Sequence, residues 1–186
     1  MSKGALAVLV SSAVWMGASV WGAAQSASPA AAIGHTPPAS AVAERDLTVF
    51  PDGRGLPPGQ GSAREGRVVF ATHCAACHGA AGEGSNDFPR LVGGVGTLKT
   101  SSPVLTVGSY WPYATTLWDY NRRAMPYPQP GLLTDAEVYA VTAYILHMNG
   151  IVKENDVLDA RTLPAVRMPN RDGFVRDARP DWRPRP

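Results

Sequence analysis

Cys74-Ala75-Ala76-Cys77-His78 gathers the chain's only two cysteines and one of its four histidines into five consecutive positions. Two thiols at C-x-x-C spacing, followed at once by an imidazole, match the attachment pattern for a c-type haem. The thiols can form thioethers with the two vinyl groups of the ring, and the adjacent histidine projects its imidazole onto the iron. A thiol–disulfide motif would leave His78 without a role and lacks a thioredoxin-like β-α-β setting. A zinc site would lack its second pair of ligands. The motif predicts one covalent haem c, held by Cys74 and Cys77, with His78 as an axial ligand of the iron.

A second axial ligand must come from Met125, Met148, Met168, His35, His73 or His147. Met125 is followed by Pro126 and lies just past a predicted helix end, where a loop can swing its sulfur over the open haem face. Met148 falls on the apolar stripe of the last helix, where methionine ordinarily serves packing. Met168 sits near the C-terminus and His35 in an N-terminal leader. His73 is tethered on the wrong side of Cys74, and His147 stands beside Met148, off the stripe. Met125 is therefore the expected ligand, and its thioether would raise the potential of the iron.

Three helices must position these groups. Ser62-Ala63-Arg64-Glu65 is a capping-box pattern that opens a short helix running to Thr72. Pro112 suits a first helical position, and a helix over 115–124 places Leu117, Tyr120 and Ala124 about a turn apart before Pro126 stops it. Thr134-Asp135-Ala136-Glu137 is a second capping box. It opens a helix with Val138, Val141, Ile145 and Met148 on one stripe, closed by Asn149-Gly150. No strand pattern of comparable length appears. The loops between, notably residues 79–109, are too long for a small helical domain standing alone. A cofactor in the middle is what they require.

Composition bounds the rest. The 186 residues are 45% hydrophobic and 17% charged with a formal net charge of +2, which excludes a nucleic-acid binder built on massed Lys and Arg. Residues 1–24 read as an export signal: Lys3, the apolar stretch Ala5 to Val20, then small residues at Gly22, Ala23 and Ala24. A cut after Ala27 is the near alternative. The stretch is interrupted by Ser11, Ser12, Gly17 and Ser19 and falls short of the roughly 20 apolar residues of a spanning helix. The expectation is a periplasmic protein with no stable membrane anchor. Residues 25–44 read as a flexible leader, 45–159 as the domain with an N-terminal extension, and 160–186 as an Arg/Pro-rich tail. That tail holds seven arginines against three aspartates, whereas residues 44–159 hold nine Lys/Arg against twelve Asp/Glu. An acidic body with a basic tail predicts a partner or a self-docking strap, against a solvated tail with no partner; the expectation is a tail that lies on a partner's surface. No carboxylate pair or Ser-His-Asp arrangement points to hydrolysis.

The order Gly66-x-x-x-Phe70-x-x-x-Cys74-x-x-Cys77-His78, then Pro89-x-Leu91-x-Gly93, then Met125-Pro126 and a terminal amphipathic helix, resembles class I cytochrome c over about residues 62–150. The resemblance implies a mostly α fold, with helices around one covalently bound haem and extended N- and C-terminal segments. It implies that the first and last helices cross, Gly66 and Phe70 meeting Val141, Tyr144 or Ile145. It also implies that the Pro89 carbonyl accepts a bond from the His78 ring, which would fix the imidazole and raise its basicity. Trp111, Tyr110 and Tyr113 would line the haem or be plain core. Arg90, Arg122 and Arg123 would neutralise propionates or be solvated, and Asp119, Asp135 and Glu137 read as solvated helix faces or caps.

A narrower resemblance extends along Val49 to Gly59, Thr106 to Leu117, Arg123 to Pro126 and Val138 to Tyr144. These segments look like the cytochrome subunits of bacterial sulfur-oxidation enzymes. That resemblance implies an electron-accepting subunit or partner of a molybdenum-containing sulfite or sulfane dehydrogenase, not an enzyme on its own. It would pass single electrons to a soluble cytochrome or an oxidase. Larger relatives of the sulfane dehydrogenase carry two haems, while this chain has a single C-x-x-C-H. The alternatives are a general periplasmic carrier without a dedicated partner, and catalysis at the iron such as peroxidase, which needs an open sixth position that Met125 would fill.

Overall fold

The computed structural model describes residues 34–175 and 177–178. The predicted export signal, leader residues 25–33 and most of the tail beyond Val175 lie outside the described residues. The chain divides into two units, Met1–Pro38 and Ala39–Pro186. In the first, described residues 34–38 hold no helix or strand. The second contains every element that follows. Among the described residues no helix is long and apolar enough to cross a membrane.

The first long helix, α2 (Ala63–His73), follows a single exposed helical turn, α1 (Ala39–Ala43). Ser62 caps α2 reciprocally: its hydroxyl accepts from the Glu65 N–H, and the Glu65 carboxylate accepts the Ser62 N–H at 2.7 Å. The pair satisfies two donors that a helix start otherwise leaves without partners. Thr134 and Glu137 repeat the device at the start of α6 (Asp135–Met148). Between them lie α3 (Ala75–His78), α4 (Val107–Tyr110) and α5 (Ala114–Ala124).

Helix α6 is the axis of the core. The stripe read from its sequence understates it, because Tyr139, Ala140, Thr142, Ala143 and Leu146 are buried along with Val138, Val141 and Ile145. A helix covered on several sides carries apolar residues nearly all round. Helix α2 packs across it where Gly66 leaves room. A Cβ at Gly66 would collide with the Ala140 carbonyl and the Tyr144 Cβ, and one turn on, the Phe70 and Tyr144 rings lie 5.4 Å apart. Helix α5 covers another flank through Trp118, whose ring lies 5.2 Å from Tyr139.

Three sequence expectations need correction, beside two short strands that the sequence did not show. A short antiparallel pair, β1 (Gln60–Ser62) with β2 (Val157–Asp159), joins Gly61 to Leu158; three residues are too few to show a period in the sequence. Pro112 does not start α5, which begins at Ala114. It instead ends α4, since the residue before a proline avoids helical backbone and Trp111 is extended. Leader residues 39–43 form α1. The boundary at 159/160 also gives way: Leu163 and Met168, read as tail, are buried core residues. Residues 163–174 run back over the domain, with the Asn170 amide donating to the Tyr110 carbonyl at 2.7 Å. Arg171 lies over the Tyr113 ring, and Phe174 packs on Tyr110. This part of the tail straps its own domain.

Candidate functional site

Helix α2 stops at Cys74, whose backbone departs from helical geometry, and α3 makes one further turn. Positions i, i+3 and i+4 of such a turn share a face. Cys74, Cys77 and His78 therefore all look into one cavity of about 400 Å³, within the usual range for a small-molecule site. Gly79, at φ +80°, ends the turn in a backbone region that disfavours other residues. Burial, and secondarily the neighbouring Cys77, pushes the Cys74 thiol up to about 11. Before any attachment it is a protonated thiol.

The far wall of the site is a loop. Its Pro89 carbonyl lies 2.9 Å from His78 Nδ1; the proton on Nδ1 makes this a donated hydrogen bond and leaves Nε2 as the ring nitrogen with a lone pair. The loop is tied back on itself, the Gly84 N–H donating to the His78 carbonyl at 2.7 Å and the Leu91 N–H to the Gly82 carbonyl at 2.8 Å. Phe88 stands edge-on to the His78 ring.

Helix α5 supplies Leu117 and Asn121, successive turns of one face, and Met125 follows at its end; all three line the cavity. Pro126 bars helical backbone at Met125, which is extended. The Met125–Pro126 peptide bond is cis. Met125 is the one methionine among the lining residues. Met168 is buried elsewhere, Met148 packs at the edge of the core, and the His147 ring faces the Val152 carbonyl at 3.1 Å. His73 does line the cavity.

Other expected neighbours divide. Trp111 lines the cavity with Tyr120, their rings at right angles 5.7 Å apart, and Arg90 joins them. Tyr110 and Tyr113 instead hold the strap described above. Arg122 pairs with Asp135 at 3.2 Å and lies over Trp118, while Arg123 grips Asp119 through two bonds. Asp119 is buried, not solvated; an arginine partner is what such a carboxylate needs. The sequence reading missed Phe88, Leu105, Asn121 and Tyr127 on the cavity wall. For Asn121 the signal was available, one helical turn before Met125.

The lining suits a flat apolar macrocycle: mostly carbon walls, two thiols beside an imidazole with its distal nitrogen available, and a thioether on a separate element. Residues 63–149 match the cytochrome c family. The solved structure of the sulfane dehydrogenase SoxCD from Paracoccus pantotrophus superposes with a TM-score of 0.74 and 39% identity, over 82% of this chain and 75% of that one. Two curated relatives are the cbb3-type cytochrome c oxidase subunit CcoP of Azospirillum sp. and the thiosulfate dehydrogenase of Psychrobacter arcticus. The first is 33% identical over 89 residues, 46% of this chain and 30% of the relative. The second is 29% identical over 102 residues, 48% of this chain and 27% of the relative. The matched region spans less than a third of either curated protein.

Proposed function

The chain belongs to the cytochrome c family and carries electrons on one covalent haem c, and from that premise we propose that it serves a molybdenum-containing sulfite or sulfane dehydrogenase in the periplasm. It would be that enzyme's electron-accepting subunit or partner, handing electrons on to a soluble cytochrome or an oxidase. The 39% identity to a sulfane dehydrogenase structure, over most of both chains, carries this reading.

The bound haem supplies a one-electron iron couple. Cys74 and Cys77 would tether it, and His78 and Met125 would ligate its iron. Pro89 orients the imidazole and raises its basicity through the Nδ1 bond. Met125 favours the reduced iron and raises the potential. With His78 and Met125 both ligating the iron, this chain would move single electrons and make no bond to a substrate. Leu117 and Ile145, both buried, give the site an apolar wall.

The deciding experiment is co-purification of the native protein, followed by molybdenum analysis and assays of sulfite- and thiosulfate-dependent haem reduction. The expected result is a stoichiometric or readily reconstituted molybdenum protein that reduces the haem on adding sulfite or a sulfane donor. Reduction by neither donor, and no molybdenum, would return the chain to a general carrier. For the ligand assignment, Met125→Ala should abolish the weak near-infrared band of the oxidised protein and lower the potential, while Met148→Leu keeps both. The reverse pattern would transfer the role to Met148.

A further inference from the structure

We propose that Asn149 is a positioning residue for the haem iron's imidazole ligand, acting through the loop that carries Pro89. The proposal rests on the reading of His78 as that ligand.

Asn149 is half-buried at the end of α6. Its Oδ1 accepts the Gly93 N–H at 3.1 Å, and its Nδ2 donates to the Leu91 carbonyl at 3.1 Å and the Ile145 carbonyl at 2.9 Å. One amide thus bolts residues 91 and 93 to the most buried helix of the fold. Pro89, two residues earlier, has no N–H with which to anchor itself. The position of its carbonyl follows from the chain on either side. On the N-terminal side the Gly84 N–H ties the loop to the His78 carbonyl; on the C-terminal side the Leu91 and Val92 N–H groups donate to the Gly82 carbonyl, and Asn149 holds Leu91 and Gly93 to α6, with the Thr106 hydroxyl donating to the Gly93 carbonyl at 2.6 Å.

Capping α6 does not require this side chain. Gly150 takes the left-handed backbone at φ +70°, and the Gly150 and Ile151 N–H groups donate to the His147 and Leu146 carbonyls at 2.8 and 3.0 Å. That arrangement closes a helix unaided. The surroundings are also shaped to the amide: a Cβ at Gly108 would strike Asn149 Oδ1 and Cγ, so α4 backs the side chain closely.

A firmly held Pro89 carbonyl strengthens the bond from His78 Nδ1–H, makes the imidazole more basic and favours oxidised iron. Loosening the loop must therefore raise the potential.

The test uses haem-loaded Asn149→Ala and Asn149→Asp, read by exchange of the His78 Nδ1 proton in NMR and by the midpoint potential. Asn149→Ala should exchange that proton about tenfold faster than wild type, the factor for ~1.4 kcal/mol, close to one net hydrogen bond. Its midpoint potential should rise. Asn149→Asp keeps an acceptor for the Gly93 N–H but sets a carboxylate oxygen against the Leu91 and Ile145 carbonyls, so it too should exchange the proton faster than wild type. Should Asn149→Ala fail to hold haem, Asn149→Asp decides by the exchange rate. Variants that melt earlier yet keep the wild-type exchange rate and potential would overturn the role of Asn149 and leave the ligand reading standing. A wild-type proton that exchanges as fast as that of an exposed imidazole would instead sink the His78–Pro89 reading, and this proposal with it.

Discussion

The crossing of α2 with α6 and the loop from Gly79 to Leu105 border the same cavity and are held by different forces. At the crossing, Phe70, Val138, Val141 and Leu146 are each at most 1% exposed. Burial of such side chains is worth about 1.5–3 kcal/mol apiece. Along the loop, Gly82 is the one buried residue between Gly79 and Leu105. It is held largely by hydrogen bonds: the Leu91 and Val92 N–H groups donate to the Gly82 carbonyl, the Gly84 N–H to the His78 carbonyl, and Gly93 is bonded by the Asn149 and Thr106 side chains. Hydrogen bonds contribute only about 0.5–1.5 kcal/mol net each. One region can fold on its own apolar surface; the other depends on what fills the cavity beside it.

Removing the haem tether should separate the two most. Cys77→Ala is expected to prevent normal double attachment. The Leu91, Val92 and Gly93 amides should then lose most of their hydrogen-exchange protection while the centre of α6 keeps a measurable part. Equal loss in both regions would break the distinction.

Next come the core residues that the C-terminal strap contributes. Leu163→Ala or Met168→Ala should each cost about 2–5 kcal/mol in denaturant unfolding, as fully buried truncations do. A loss under about 0.5 kcal/mol would return residues 163–168 to the status of a surface tail.

Gly66→Ala probes the crossing at its closest approach. The added Cβ meets backbone, the Ala140 carbonyl, so the helices themselves must part, and a cost of about 1–3 kcal/mol is expected. The haem potential should move less than in Asn149→Ala, because Gly66 belongs to the self-supporting region.

The smallest effect is pH-dependent. Hydrogen bonds from Thr134 and Ser62 hold the Glu137 and Glu65 carboxyls below their usual range. Carboxylates lowered on folding stabilise fully above their unfolded pKa, and that contribution is lost as pH falls through the folded value. Thr134→Ala should therefore cost about 0.5–2 kcal/mol near neutrality. The gap from wild type should narrow below about pH 4, as the carboxyl protonates in both. A gap independent of pH would assign the cost to the hydroxyl alone.

What the sequence made legible follows the same division. Ser62 and Thr134 announced their helices because a capping box is local, and C-x-x-C-H is legible because haem attachment demands fixed spacing. A helix end and a proline pointed to Met125, which lines the cavity. The pairing of β1 with β2 was not, since Gly61 and Leu158 stand far apart in the chain and each strand is three residues long. Met168 and Leu163 were hidden for another reason: single apolar residues among arginines and prolines carry no period. Asn149 read as a helix stop, and nothing in its neighbours Met148 and Gly150 reveals a bond to Gly93. Asp119 looked solvated because an i,i+4 arginine is as common on a surface as over a buried carboxylate.

The short β1–β2 ladder has one more consequence. It stitches the segment leading into α2 beside the segment leaving α6, with Gln60 opposite Asp159 and Ser62 opposite Val157. Because Leu163 and Met168 anchor the outgoing segment in the core, a pull on the C-terminus is borne by the strap before it reaches the Asp159 rung. The ladder is thereby sheltered from end-on load, and the entry to α2 stays beside the exit from α6 for as long as the strap holds.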